Sequence, residues 1–210
     1  MMQQDDLATA SGWGRIAVRY DLEKWMLCPP EFPPGYDVRS WARTYAEAFC
    51  QRPGFAPTEE LIGALAARLA EIHQDAYGSG RLVCHQCLIY QPDPFRSPLP
   101  VYFSAWNSSG DRDEALRLLS HADHAGAMQP PYVTEFTADH LGAGLKVLYY
   151  ARHPARESVL YAGLNYAWRV EDLDTDLRVF VTTTDLGGLG EAIPDIDELM
   201  NVTSVVPRVG

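Results

Sequence analysis

Lysine is nearly absent from this 210-residue chain, which holds only Lys24 and Lys146 beside its arginines. Basic side chains are scarce altogether, 17 against 28 acidic ones, giving a net charge of −11 and a pI near 4.9. A surface of that sign repels nucleic-acid phosphates and anionic headgroups, so neither nucleic acid nor membrane is an expected partner. Long hydrophobic runs are missing too. No stretch approaches the roughly 18 apolar residues of a membrane-spanning helix. The opening "MMQQDDLATASGWG" lacks the basic start and apolar core of a secretory signal, so a cytoplasmic protein with reduced thiols is expected. The phosphate-binding loop, the dinucleotide fingerprint and Gly-x-Ser-x-Gly are all absent. There is no internal repeat.

What remains is ordinary globular composition, 47% hydrophobic and 21% charged. A chain of this length buries a core without disulfides, so its four cysteines are not needed as staples. Residues 1–12 are expected to be disordered, and 13–210 to form a single α+β domain. "GRIAVRY" (14–20) alternates as a strand. Four prolines in "CPPEFPPGY" (28–36) make a stiff connector. A helix over 37–52 has Asp37 as N-cap and Val38, Trp41, Tyr45 and Phe49 on one face. A second helix, 58–77, is capped by Thr58 and buries Leu61, Leu65, Leu69 and Ile72. Strands follow at 82–90 and 101–106, then a short helix at 111–122. Further strands are expected at 132–137, 145–152, 159–170 and 177–184. A last helix over 194–200 starts at Pro194, a tolerated first-turn position, and "TSVV" (203–206) adds an edge strand.

Helices first and a strand meander later indicate an α+β fold. Its sheet should be largely antiparallel, of six to eight strands, packed against helices, with an α/β/α sandwich as one arrangement. Alternation places Leu145, Val147, Tyr149, Leu164, Tyr166, Trp168, Leu177, Val179 and Val181 on one face. The other carries Leu148, Tyr150, Arg152, Tyr161, Arg169 and Phe180. That second face is too apolar to be wholly wet. Either the helices of 37–77 cover it, or Tyr150, Arg152, Tyr161, Arg169 and Phe180 form a binding surface.

Several stretches have the look of chemistry. "RLVCHQCLIY" (81–90) contains Cys-x-x-Cys. In a strand the two thiols point to opposite faces, so Cys84 and Cys87 should neither bridge nor share a metal. "SHADHAG" (120–126) supplies His121, Asp123 and His124, which suit the negative end of a helix. Together with Cys84 and Cys87, the pair His121 and His124 makes up the only zinc set to consider, with the wrong histidine spacing. "EDLDTDLR" (171–178) resembles the start of a calcium loop but lacks its glycine and closing glutamate, so it reads as a hairpin turn. His140 and His153 sit beside strand ends and are the pocket candidates, with Arg152 and Arg169 nearby.

The segment "VLYAGLNYAWRVEDLDTDLRVFVTTTDLGGLGEAIPDIDELMNVTSVV" (159–206) gives two long strands, a loop, a short helix and a closing strand. That order resembles the end of the PsbP-like α/β/α sandwich family, over about a quarter of the chain and without a signature motif. The resemblance implies an antiparallel sheet between helices and an accessory or binding role, with no catalytic residues and no cofactor to carry over. The expected function is therefore a non-enzymatic cytoplasmic binding or accessory protein acting through protein contacts, with a homodimer open. A small-molecule binder or enzyme with a pocket at the sheet edge is the alternative, and a zinc protein the third.

Overall fold

The computed structural model describes residues 13–51, 57–80, 82–93, 95–153 and 156–207. The expectation for residues 1–12 lies outside them. The fold is α+β: among the described residues there are four α-helices and nine strands, seven of the strands in one antiparallel sheet. The chain groups into two compact units. One joins the residues up to Tyr20 with those from Phe103 onward; the other is Asp21–Tyr102.

The Asp21–Tyr102 unit holds β2 (Trp25–Cys28), α1 (Val38–Cys50), α2 (Glu59–His73), β3 (Gln86–Tyr90) and the first half of β4 (Leu99–Asn107). Both caps foreseen in the sequence are made. The Asp37 carboxylate accepts from the Ser40 amide at 2.8 Å, and the Thr58 hydroxyl from the Leu61 amide at 3.2 Å. Helix α1 buries Trp41, Ala42, Ala46, Phe49 and Cys50, and α2 buries Leu65, Leu69 and Ile72. The second helix ends sooner than expected, at His73. It continues as one π-helical turn, Gln74–Gly78, which lets Tyr77 donate to the Cys28 carbonyl at 3.2 Å. The strands lie in the order β2-β3-β4. The expected strand 82–90 begins only at Gln86, which leaves Cys84 in the preceding loop.

In the other unit, β1 (Trp13–Val18) pairs antiparallel with β9 (Thr203–Pro207). The rest is β4-β8-β7-β6-β5, made by the second half of β4, β8 (Thr175–Thr183), β7 (Arg156–Val170), β6 (Gly142–His153) and β5 (Tyr132–Ala138). Helix α3 (Arg112–Ser120) lies on β6, β7 and β8, and α4 (Leu186–Asn201) on β5 and β7.

Helix α4 corrects a sequence expectation. It starts eight residues before Pro194, through "LGGLGEAI", with the Asp185 side chain accepting from the Gly188 amide at 2.8 Å. Pro194 sits inside it, at some cost to the helix. Burial of Leu189, Ala192, Ile196, Leu199 and Met200 outweighs that cost and the poor propensity of the glycines.

The two sheet faces are also sorted differently from the sequence reading. Leu148 pairs with Leu164, Tyr150 with Ala162 and Arg152 with Leu160, so these side chains share a face. Tyr166, Trp168, Leu177 and Val179 lie on that face too. Leu145, Val147 and Tyr149 belong instead with Tyr161, Asn165, Arg169, Arg178 and Phe180. Within this unit the helix over that second group is α3.

Candidate functional site

Helix α3 begins at Asp111, whose carboxylate accepts from the Glu114 amide at 3.0 Å. Asp113 and Glu114 suit its positive end and Arg117 its negative end. It ends in a Schellman motif. The Ala122 amide donates to the Arg117 carbonyl at 3.0 Å, and the His121 amide to that of Leu118 at 3.2 Å. The left-handed residue of this motif is usually glycine; here it is His121, at φ 61°. The loop beyond is stitched down. His124 donates from its amide to the His121 carbonyl, Ala127 to His124, and Met128 to Tyr150 on β6. Arg117 and Asp123 pair across the turn.

This geometry stacks the His121 and His124 rings, 5.6 Å apart and 8° from parallel. The His124 ring sits 4.4 Å from that of Tyr149, and its Nε2 lies 3.5 Å from the Tyr161 hydroxyl. Tyr149 fits because its cross-strand partner is Gly163. A Cβ there would meet the tyrosine ring at 2.2–2.4 Å. Burial raises the pKa of the Tyr149 hydroxyl.

Arg178 completes the group. Its Nε and Nη2 donate to Asn165 Oδ1 at 3.2 and 2.8 Å, and its guanidinium lies 4.3 Å over the Phe180 ring. No carboxylate pairs with it among the described residues. Burial lowers its pKa, as expected for a cation poorly compensated away from water. His121 feels the same environment. Its Nδ1 is buried without a hydrogen-bond partner among the described residues, and its pKa falls to about 4, first through burial, then through the positive charge of Arg178. Both histidines face an open cleft of about 620 Å³, lined also by Asp113, Glu114, Arg117, Leu118, Asp123 and Ala125. Arg178 lies behind this lining and is not part of it; of the cleft's own charged groups Arg117 is paired with Asp123, and Asp113 and Glu114 are acidic.

The residues singled out in the sequence are scattered. Tyr161 and Phe180 belong to this group. Arg169 is on the same face but committed to Asp176, at 2.7 and 2.9 Å, and to the Ser109 and Gly110 carbonyls. Tyr150 and Arg152 are on the opposite face, half-buried and exposed. His140 is an exposed turn residue between β5 and β6, and His153 is half-buried at the end of β6. Cys84 and Cys87 lie in the other unit, and no disulfide joins any of the four cysteines. Among the described residues no group of three His, Cys, Asp or Glu side chains is placed to hold a metal. Asp176, expected in a solvated turn, is buried on β8.

Tyr149, Asn165 and Arg178 went unnoticed in the sequence. Arg178 did carry a signal, a charge at an inward position of the apolar run "LRVFV". No protein-family model and no curated protein matches the chain.

Proposed function

We propose that the protein works by binding, and that its ligand is a small carboxylate with an apolar body. The observation that carries this is Arg178, a half-buried guanidinium whose only polar side-chain partner among the described residues is an amide, near His121, whose Nδ1 has no hydrogen-bond partner among them. Arg178 does not itself line the cleft, so in this proposal the carboxylate reaches past the His121 ring to supply the missing negative charge through charge-assisted hydrogen bonds. Leu118, Ala125 and the paired imidazole rings suit the apolar part of such a molecule. The reading takes up the small-molecule-binding alternative, and moves its site from the sheet-edge histidines to the end of α3.

Calorimetric titration with benzoate, acetate and neutral benzamide tests it. Benzoate should bind more tightly than acetate, and benzamide should not bind measurably. Arg178→Gln should weaken benzoate by about 10- to 150-fold, the worth of a charge-assisted hydrogen bond at about 1.5–3 kcal/mol. Binding of benzamide as tight as benzoate, or an unchanged affinity in Arg178→Gln, sinks the proposal.

A second reading, contact with another protein, has its own support in the edge strand β5, where Tyr132 and Val133 are exposed, near the exposed Met128. A concentration-dependent sedimentation coefficient lost in Val133→Lys would favour self-association there.

A further inference from the structure

The four cysteines take no part in the proposed binding site, and two of them face each other. Cys28 closes the edge strand β2, and its Cα partner on β3 is Cys87. Both side chains are fully buried and both thiols are free. The Gln91 amide donates to the Lys24 carbonyl at 2.7 Å, which makes Lys24 and Gln91 a hydrogen-bonded pair of this ladder. Two residues on, and two more, the same pattern falls on Cys28 and Cys87. Such pairs hold their Cα atoms about 5.5 Å apart, inside the span that a disulfide bridges.

We propose that Cys28 and Cys87 are a reversible oxidation site, converted by a hydroperoxide into an intramolecular cross-strand disulfide. One thiol, as thiolate, attacks the peroxide oxygen, giving a sulfenic acid and releasing water or the alcohol of the peroxide. The second sulfur displaces hydroxide from the sulfenic sulfur, which leaves with a proton as water. Two thiols lose two protons and two electrons, and these reduce the peroxide O–O bond. Burial holds the Cys87 thiol well above its ordinary pKa, so reaction in the closed fold is slow. Access comes through opening of β2, a four-residue edge strand. The bond would fasten that strand to β3, where Tyr77 already holds the Cys28 carbonyl.

The test is to treat the full chain with hydrogen peroxide, quench it, and measure free thiols and linked peptides. Titratable thiols should fall from four to two, with one linked pair of peptides carrying Cys28 and Cys87, and dithiothreitol should restore all four. Cys84→Ser, at a half-buried loop position, should give the same link. Cys28→Ala, checked for an unchanged far-ultraviolet spectrum, should form none. Persistence of all four thiols, or a bond through Cys84, Cys50 or a second chain instead, overturns the proposal.

Discussion

Replacing Asp176 by asparagine changes almost nothing in shape and removes one charge from a buried pair. Arg169 and Asp176 have side chains only 7% exposed, joined by two hydrogen bonds of 2.7 and 2.9 Å. The guanidinium also donates to the Gly110 and Ser109 carbonyls at 2.9 and 2.8 Å. In Asp176→Asn a neutral amide faces the guanidinium, and an amide N–H replaces one of its acceptors. Stranding one member of a buried pair costs about 3–5 kcal/mol. The two carbonyl bonds survive, which puts the loss near the lower end, about 3 kcal/mol. For a chain of this size that lowers the melting temperature by about 6–12 °C. Urea titration and thermal melting followed by circular dichroism measure it. The double variant Arg169→Met, Asp176→Leu should recover most of the loss, because it removes both charges from the interior. A cost below about 1 kcal/mol for Asp176→Asn, the size of a surface pair, would refute the reasoning.

His121 makes stability depend on pH. Its folded pKa of about 4 lies below the ordinary value of 6.5, so the unfolded chain binds the proton more readily. Its contribution is complete above about pH 6.5 and is lost as pH falls toward 4. The shift corresponds to about 3 kcal/mol, and to roughly half that once the partly exposed ring is screened by solvent. His121→Asn, which tolerates the left-handed backbone, should flatten the urea midpoint between pH 7 and 4.5; an unchanged slope would assign the loss elsewhere. Gly163→Ala places a methyl group into the Tyr149 ring, which is held by His124 and Tyr161. It should cost about 1–3 kcal/mol in chemical denaturation and weaken benzoate. A variant as stable as the parent would mean that the ring is free to move.

Local chemistry was legible in the sequence and long-range register was not. Asp37 and Thr58 announce two helix starts because a cap needs only its own next three residues. The start of α4 is hidden, because Gly187, Gly188 and Gly190 have poor helix propensity and only tertiary burial of residues such as Leu189 and Ile196 makes up for it. The face assignment failed for a geometric reason. At the tip of the β6–β7 hairpin His153 pairs with Arg156, and that register continued along both strands would set Leu145 opposite Leu164. The ladder shifts between His153 and Arg152, so that Arg152 meets Leu160 and three residues of β7, 157–159, have no partner on β6 among the described residues. An odd number of unpaired residues exchanges the two faces of one strand relative to the other. No periodicity within either strand can reveal that.

The same irregularity decides whether the site exists. With the tip register carried through, Tyr149 would share a face with Leu164 and Tyr166, away from Tyr161, Asn165 and Arg178. The shift returns it to Gly163, whose missing side chain gives the ring its place. What fixes the inner register is burial: Val147, Leu164, Tyr166, Trp168, Leu177 and Val179 are all fully buried, and a one-residue slip would turn each strand's set over. The unpaired residues then only take up the mismatch between tip and ladder. Deleting 157–159 tests this division of labour, because it makes the tip register and the inner register identical. The shortened chain should keep benzoate affinity within about twofold and its stability within about 1 kcal/mol, since closing a slightly shorter loop changes little entropy. Deleting Val159 alone leaves two unpaired residues. The inner ladder should still hold its register, so affinity should again survive. If either deletion abolished binding in a chain that still unfolds cooperatively, the register would be set at the hairpin tip and not by burial.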